Sequence, residues 1–209
     1  MEAKVKCRAV LFDLDGTLVD TMRDYADLAA RLLSERGLMS YDEARAAYLA
    51  TSGRTFIDQL RMLGVGPRVA EEIYETFVEM KREIIGRAKI HEEALMLVEE
   101  LKMKGCFVAL SSNNECQLVE MLRGVERLDL VLCFDGSSHK KGRPHLETLR
   151  KRLGVEPEEA VFVGDSDYDL EVYAREGVRV LRTSGLFSSS ERRRIAELVE
   201  CSSSELNRT

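Results

Sequence analysis

With 209 residues, 44% hydrophobic and 33% charged, the chain has ordinary globular composition; disorder is excluded, and there is room for one domain or a core with an insertion. A formal charge of −6 argues against a general nucleic-acid or membrane-surface binder and suits an enzyme whose acids gather around a cation. Five cysteines without a Cys-x-x-Cys pair give no disulfide framework and no zinc spacing, so they read as reduced; with no signal sequence or membrane span in view, a cytoplasmic protein is expected.

The first element is the apolar run Ala9-Val10-Leu11-Phe12, which ends abruptly in Asp13; a second acid follows at Asp15, and Gly16-Thr17 breaks the extended pattern. Such a run predicts a central strand of a parallel sheet, and ligands in open α/β sheets bind beyond the carboxyl ends of those strands. From Met22 the spacing turns helical until Gly37, Ser40 with Glu43 makes a capping box for a second helix through Leu49, and Phe56 to Leu63 and Arg68 to about Ile85 continue in helices. Residues 20–88 therefore read as pure helix, an insertion that splits an α/β core formed by residues 1–19 and 89–209.

Beyond His91 the pattern alternates. A helix to Lys104 precedes the strand Cys106 to Leu110, which ends in Ser111-Ser112-Asn113-Asn114, and a helix is expected from Glu115 to about Arg123. The strand Leu130 to Phe134 leads through a polar loop to Pro144, suited to the first turn of a helix reaching Leu153. The strand Ala160 to Val163 ends in Gly164-Asp165-Ser166-Asp167-Tyr168-Asp169, a helix runs to Glu176, and a last strand spans Val178 to Leu181. Ser188 and Glu191 open a final helix, on which Arg192, Arg193 and Arg194 read as a solvated face, and the last residues are expected to fray.

Three strands thus deliver polar groups to one edge of the sheet. Three acids within five residues, Asp165, Asp167 and Asp169, repel one another unless a cation is present. His91, His139 and His145 fit no metal spacing and read as surface or loop residues.

The sequence Asp13-Leu14-Asp15-Gly16-Thr17, a Ser closing the second strand, Lys141 before Pro144, and Gly164-Asp165 with Asp169 resemble, in order, the four motifs of the haloacid dehalogenase superfamily. The helical insertion is similar to that superfamily's cap placed directly after the first motif, and the group resembled is that of phosphoglycolate phosphatases and β-phosphoglucomutases. The resemblance implies a Rossmann-like core with an all-helical cap, an Mg²⁺ cofactor and a small phosphate ester as substrate. Asp13 would be the nucleophile forming an aspartyl-phosphate, and Asp15 the general acid and base. Lys141 would hold the nucleophile and phosphate, with Lys140 an alternative. Ser111 would donate its hydroxyl, and Ser112 its amide, to the phosphate; Gly16 would let the backbone approach it. Asp13, Asp15, Asp165 and Asp169 would serve the metal, Asp169 by orienting a bound water or supporting Lys141. Arg54, in the loop Thr51-Ser52-Gly53-Arg54, would pair with a second anionic group. Retention of Asp15 favours hydrolysis over dehalogenation. A sugar phosphomutase, a pyrophosphatase, or a phosphate-binding member without catalysis are the alternatives, and the oligomeric state is open.

Overall fold

The computed structural model describes residues 4–202. A short strand β1 (Val5–Cys7) precedes β2 (Ala9–Phe12), which lies at the centre of a five-stranded parallel sheet. β3 (Phe107–Glu115) and β5 (Ala160–Gly164) flank it, and β4 (Leu130–Phe134) and β6 (Arg179–Arg182) form the edges, in the order β4-β3-β2-β5-β6. All four residues of β2 are buried, as an apolar strand covered on both faces must be. The two-residue period divides the core: Val10, Phe12, Val108, Leu110, Val161 and Val163 pack on one face of the sheet, and Ala9, Leu11, Ala109, Ala160 and Phe162 on the other.

Between β2 and β3 the chain is helical, as expected. α1 (Met22–Glu35), α2 (Tyr41–Ala50), α3 (Phe56–Met62) and α4 (Pro67–Arg87) form one block, followed by α5 (Glu92–Met103) on the sheet. α2 has the full reciprocal capping box of Ser40 and Glu43, and α4 begins with Pro67, where a missing N–H costs nothing. Phe56 and Phe77, their ring centroids 4.1 Å apart, join Tyr25 and Tyr48 in the block's interior. The remaining helices are α6 (Cys116–Val119), α7 (Arg143–Leu153), α8 (Asp167–Arg175) and α9 (Ser189–Leu198), which leads into β7 (Val199–Cys201).

Several expectations are corrected. β3 does not stop at Leu110 but continues through Ser111–Asn114, with an irregular register against β4 between Ser111 and Glu115. The helix expected up to Arg123 is the single turn α6. β1 and β7 pair as a separate two-stranded sheet, too short at three residues each to show a pattern. That pairing brings Cys201 to Cys106, and the two are disulfide-bonded across 95 residues; Cys116 and Cys133 form a second disulfide. The reading of reduced cysteines therefore fails, because tertiary pairing and not sequence spacing brings these thiols together; only Cys7 is free. His145 is fully buried rather than in a surface position. Arg192 pairs with Glu93 and Glu100 of α5 instead of facing water. The expected fraying of the chain end lies outside the described residues. Among the described residues no helix is long and apolar enough to cross a membrane.

Candidate active site

β2 leaves the sheet at Asp13, whose N–H donates to the Val163 carbonyl at 2.9 Å. The carboxylate is buried and accepts from the Lys141 ammonium at 2.5 Å. Lys141, at the entry to α7, also donates to Asp169 at 2.7 Å. Asp169 lies one turn into α8 because Ser166 caps that helix, accepting from the Asp169 N–H and donating to its carboxylate. Asp165, from the end of β5, faces the same cavity as Asp13, Asp15 and Lys141.

The charges do not balance. Burial works against the Lys141 ammonium, but Asp13 and Asp169 outweigh it and hold its pKa above the usual lysine range. Burial first, and then the Asp13 charge, push the Asp165 carboxyl up to about 7; burial also raises Asp169, to about 6, against the opposing pull of Lys141. Around the Lys141 ammonium, Asp13, Asp165 and Asp169 leave the local cluster net negative, the donor chemistry a divalent cation neutralises. Among the described residues no cluster of three or more His, Cys, Asp or Glu side chains closes around a metal-sized point. Lys141 bridges Asp13 and Asp169, and of the cavity-lining carboxylates Asp15 and Glu115 are engaged by Thr21, Asn114, Lys81 and Tyr74, which leaves Asp13 and Asp165 as the pair nearest to free. A pair suits Mg²⁺, which is held by one or two carboxylates and keeps water and substrate oxygens around it. Asp169 has both Lys141 and Ser166 on one oxygen and lies outside the cavity wall, while its Oδ1 is buried without a hydrogen-bond partner; its contacts are those of a support for Lys141, one of the two roles expected of it.

Of the two adjacent serines, Ser112 and not Ser111 reaches the cavity. Ser111 continues the face of Ala109, and its hydroxyl is hydrogen-bonded to His145 Nδ1 at 2.8 Å and to the Tyr173 hydroxyl, beneath α7 and α8. Ser112 continues the face of Leu110 and lines the cavity. Its oxygen accepts from the Asn114 N–H at 3.0 Å and keeps its own proton to donate. Counting the strand's alternation from Val108 and Leu110 would have selected Ser112. Lys141 is also separated from Lys140, which pairs with Asp58 of α3 at 3.2 Å.

The helical block sits directly on this edge. The Asn113 side chain donates to the Gly53 carbonyl at 2.7 Å and accepts from the Lys141 N–H at 3.0 Å. Gly53 has φ +87°, and a Cβ there would lie 2.6 Å from Ser166 Oγ, so only glycine admits this approach. Arg54 lines the cavity and stacks over the Tyr168 ring at 3.8 Å. Gly16 is equally constrained, at φ +81° with a virtual Cβ 2.3 Å from Asp165 Oδ2.

Asp15 accepts from the Thr21 hydroxyl at 2.5 Å and from the Asn114 amide at 2.6 Å. Burial pushes its pKa upward, with Lys81 pulling the other way. Thr21, Lys81, Asn113, Asn114 and Glu115 were not singled out from the sequence. Thr21 arrives as the N-cap of α1, and Lys81 of α4 meets Asn114 and Glu115 at the end of β3.

The sequence profile of haloacid dehalogenase-like hydrolases matches residues 7–177. The chain is 33% identical to a phosphoglycolate phosphatase of Aquifex aeolicus, the alignment covering 82% of each. It is 28% identical to an N-acetylmuramic acid 6-phosphate phosphatase of Pseudomonas putida, over 84% of this chain and 82% of that protein. Among solved structures, a hydrolase from Pseudomonas syringae superposes with a TM-score of 0.73 at 17% identity, covering 94% of both chains, a likeness of fold.

Proposed function

Since the chain belongs to the haloacid dehalogenase-like hydrolase family, we propose that it is an Mg²⁺-dependent phosphatase hydrolysing a small phosphate monoester, of the phosphoglycolate or sugar-phosphate kind, through an aspartyl-phosphate on Asp13. The observation that carries this reading is the meeting of Asp13, Lys141 and Asp165 in one cavity that Asp15 and Ser112 also line.

In this reading, Asp13 attacks phosphorus from the side opposite the leaving group. A bond forms between its carboxylate oxygen and phosphorus, the bond from phosphorus to the ester oxygen breaks, and protonated Asp15 gives its proton to that oxygen, releasing the alcohol. Asp15, now a carboxylate, takes a proton from a water that attacks the phosphoryl group, and inorganic phosphate and the free Asp13 carboxylate result. Lys141 steers Asp13 and offsets charge on the phosphoryl oxygens, while the Ser112 hydroxyl and the Asn113 N–H after it donate to them. Mg²⁺, held by Asp13, Asp165 and the main-chain carbonyl of Asp15, would supply the positive charge that lets an anionic nucleophile meet a dianionic ester.

The helical block acts as the cap in this reading. It carries Arg54 to the cavity, where its guanidinium meets an anionic group at the non-reacting end of the substrate. A panel of phosphorylated metabolites assayed with Mg²⁺ tests the substrate class. Acid quenching during turnover of ³²P-labelled ester tests the chemistry: label is expected on the wild-type chain and absent from Asp13→Asn. Turnover insensitive to chelator, or undiminished in Asp13→Asn, refutes it.

A further inference from the structure

β3 carries a disulfide at each end. Cys106 precedes its first residue and is bonded to Cys201, while Cys116 follows its last residue and is bonded to Cys133 of β4. The second bond closes over an irregularity of the sheet. Ser111 stands opposite Leu132 and Glu115 opposite Phe134, so three residues of β3, Ser112, Asn113 and Asn114, span the place of the single residue Cys133. All three serve the site: Ser112 lines the cavity, Asn113 joins the Gly53 carbonyl to the Lys141 N–H, and Asn114 donates to Asp15. Cys133 is tied to the other half of the site as well, since its carbonyl accepts from His139 Nδ1 at 2.9 Å, in the loop that presents Lys141.

We propose that the Cys116–Cys133 disulfide is a redox-controlled clamp on this bulge, holding Ser112 and Asn113 in place for the phosphoryl group while it is closed and releasing them when it is reduced. A bulge gives up ladder pairing where it protrudes. Ser112, Asn113 and Asn114 have no register partner on β4 and are held from beyond, by the Glu115–Phe134 pair and the disulfide next to it. Cys133 is buried but Cys116 is partly exposed, which gives a dithiol reductant a sulfur to attack. A thiolate of the reductant bonds to Cys116 Sγ and the Cys133 thiolate leaves. The reductant's second thiol then displaces Cys116 and departs as a cyclic disulfide, so two electrons pass to the protein and each cysteine ends with a proton from the dithiol. A disulfide oxidant reverses the exchange. Opening leaves the strand end held by one register pair and the single turn α6, and a misplacement of the phosphate donors by about 1 Å is enough to slow the chemistry. The Cys106–Cys201 bond, at the opposite end of the same strand, supplies the comparison.

This inference rests on the proposed phosphate-binding role of Ser112 and Asn113, and two readouts keep the two apart: hydrolysis of a phosphate ester with Mg²⁺, and calorimetric binding of inorganic phosphate. Wild-type protein is measured oxidised, after reduction with dithiothreitol and after reoxidation, each well below its melting temperature. Reduction is expected to lower kcat/KM by about 10- to 100-fold and to weaken phosphate binding with it, both returning on reoxidation. Cys106→Ser/Cys201→Ser should keep the whole response. Cys116→Ser/Cys133→Ser should behave as the reduced protein throughout and ignore dithiothreitol. If reduction lowers only the melting temperature, with kcat/KM and phosphate affinity within about 3-fold, the bond is a mere brace and the clamp is wrong. It is equally wrong if the response follows the Cys106–Cys201 pair. Oxidised protein that hydrolyses no ester but binds phosphate, more weakly once reduced, overturns the phosphatase reading and supports the clamp; oxidised protein that binds no phosphate overturns both.

Discussion

Ser111 and Ser112 differ by one position on one strand, and their replacement by alanine separates two kinds of loss. Ser112→Ala removes a hydroxyl at the wall of the cavity, where it would donate to a phosphoryl oxygen. Hydrogen bonds to charged groups contribute about 1.5–3 kcal/mol, so kcat/KM is expected to fall by about 10- to 150-fold at 1.4 kcal/mol per decade, with thermal unfolding unchanged. Ser111→Ala instead strips a partner from His145 Nδ1 and from the Tyr173 hydroxyl, both fully buried. Each orphaned group costs about 1–3 kcal/mol, partly relieved if those two bond each other, so a loss of about 2–4 kcal/mol in urea unfolding is expected. Activity below the unfolding range should stay within about 3-fold of wild type, since a loss of that size is under 1 kcal/mol. Steady-state kinetics and equilibrium unfolding on the same preparations make the comparison. If Ser111→Ala abolishes turnover with unchanged stability while Ser112→Ala is silent, the assignment by strand alternation is refuted.

His145 is held neutral by burial first, and then by the charges of His139 and Lys141, which push its pKa down to about 3. The unfolded chain takes up this proton below pH ~6.5 and the fold does not, so the stability tied to a neutral His145 is complete above pH 6.5 and is lost as pH falls toward 3. His145→Gln should therefore lose about 2 kcal/mol less than wild type between pH 7 and 5; parallel pH profiles would contradict this. Of the five thiols only Cys7 should titrate in the denatured, unreduced protein, and five reactive thiols without reductant would exclude both disulfides. Reduction should lower the melting temperature, and Cys201→Ser, which opens the tie across 95 residues, should cost about 2–5 kcal/mol. Gly16→Ala places a methyl against Asp165 at a positive φ, so a loss of turnover on the order of 100-fold is expected with Mg²⁺; wild-type activity in that variant would mean that Gly16 and Asp165 do not need this approach.

The acids of the site were legible because each ends an apolar run. Asp13 after Phe12 and Asp165 after Val163 and Gly164 are charges at points where a buried strand must emerge, and parallel neighbours emerge on the same edge. Ser111 was misassigned for a geometric reason: the strand continued to Glu115, and on a continuing strand adjacent residues face opposite sides. Lys81 and Glu115 each fall within an expected helix, and nothing in their local sequence marks them as buried. Their burial depends on α4 crossing the end of β3, a meeting of residues 34 positions apart that no local pattern encodes. The cysteines failed similarly, since the pairing of Cys106 with Cys201 requires β7 to return beside β1.

The site divides its labour between two parts of the chain. The sheet edge holds Asp13, Ser112, Lys141 and Asp165, all of which act on the phosphoryl group in the proposed chemistry, and all are fixed by strand ends or a helix entry that the core cannot relocate. The helical block adds Arg54 and the Gly53 carbonyl from one loop, and Lys81 and Tyr74 from one helix. In the proposed chemistry, substitution of Arg54 would thus alter which ester is admitted without moving the nucleophile, whereas Gly53 is fixed by its contact with Ser166 and Asp169. The α4 contacts are less free, because Glu115 keeps its pKa below the usual range only while Lys81 and Tyr74 outweigh the cost of its burial. A block that drifted from the sheet would leave a buried carboxylate unpaired, a loss of several kcal/mol. The Lys81–Glu115 ion pair therefore biases the block toward its seated position.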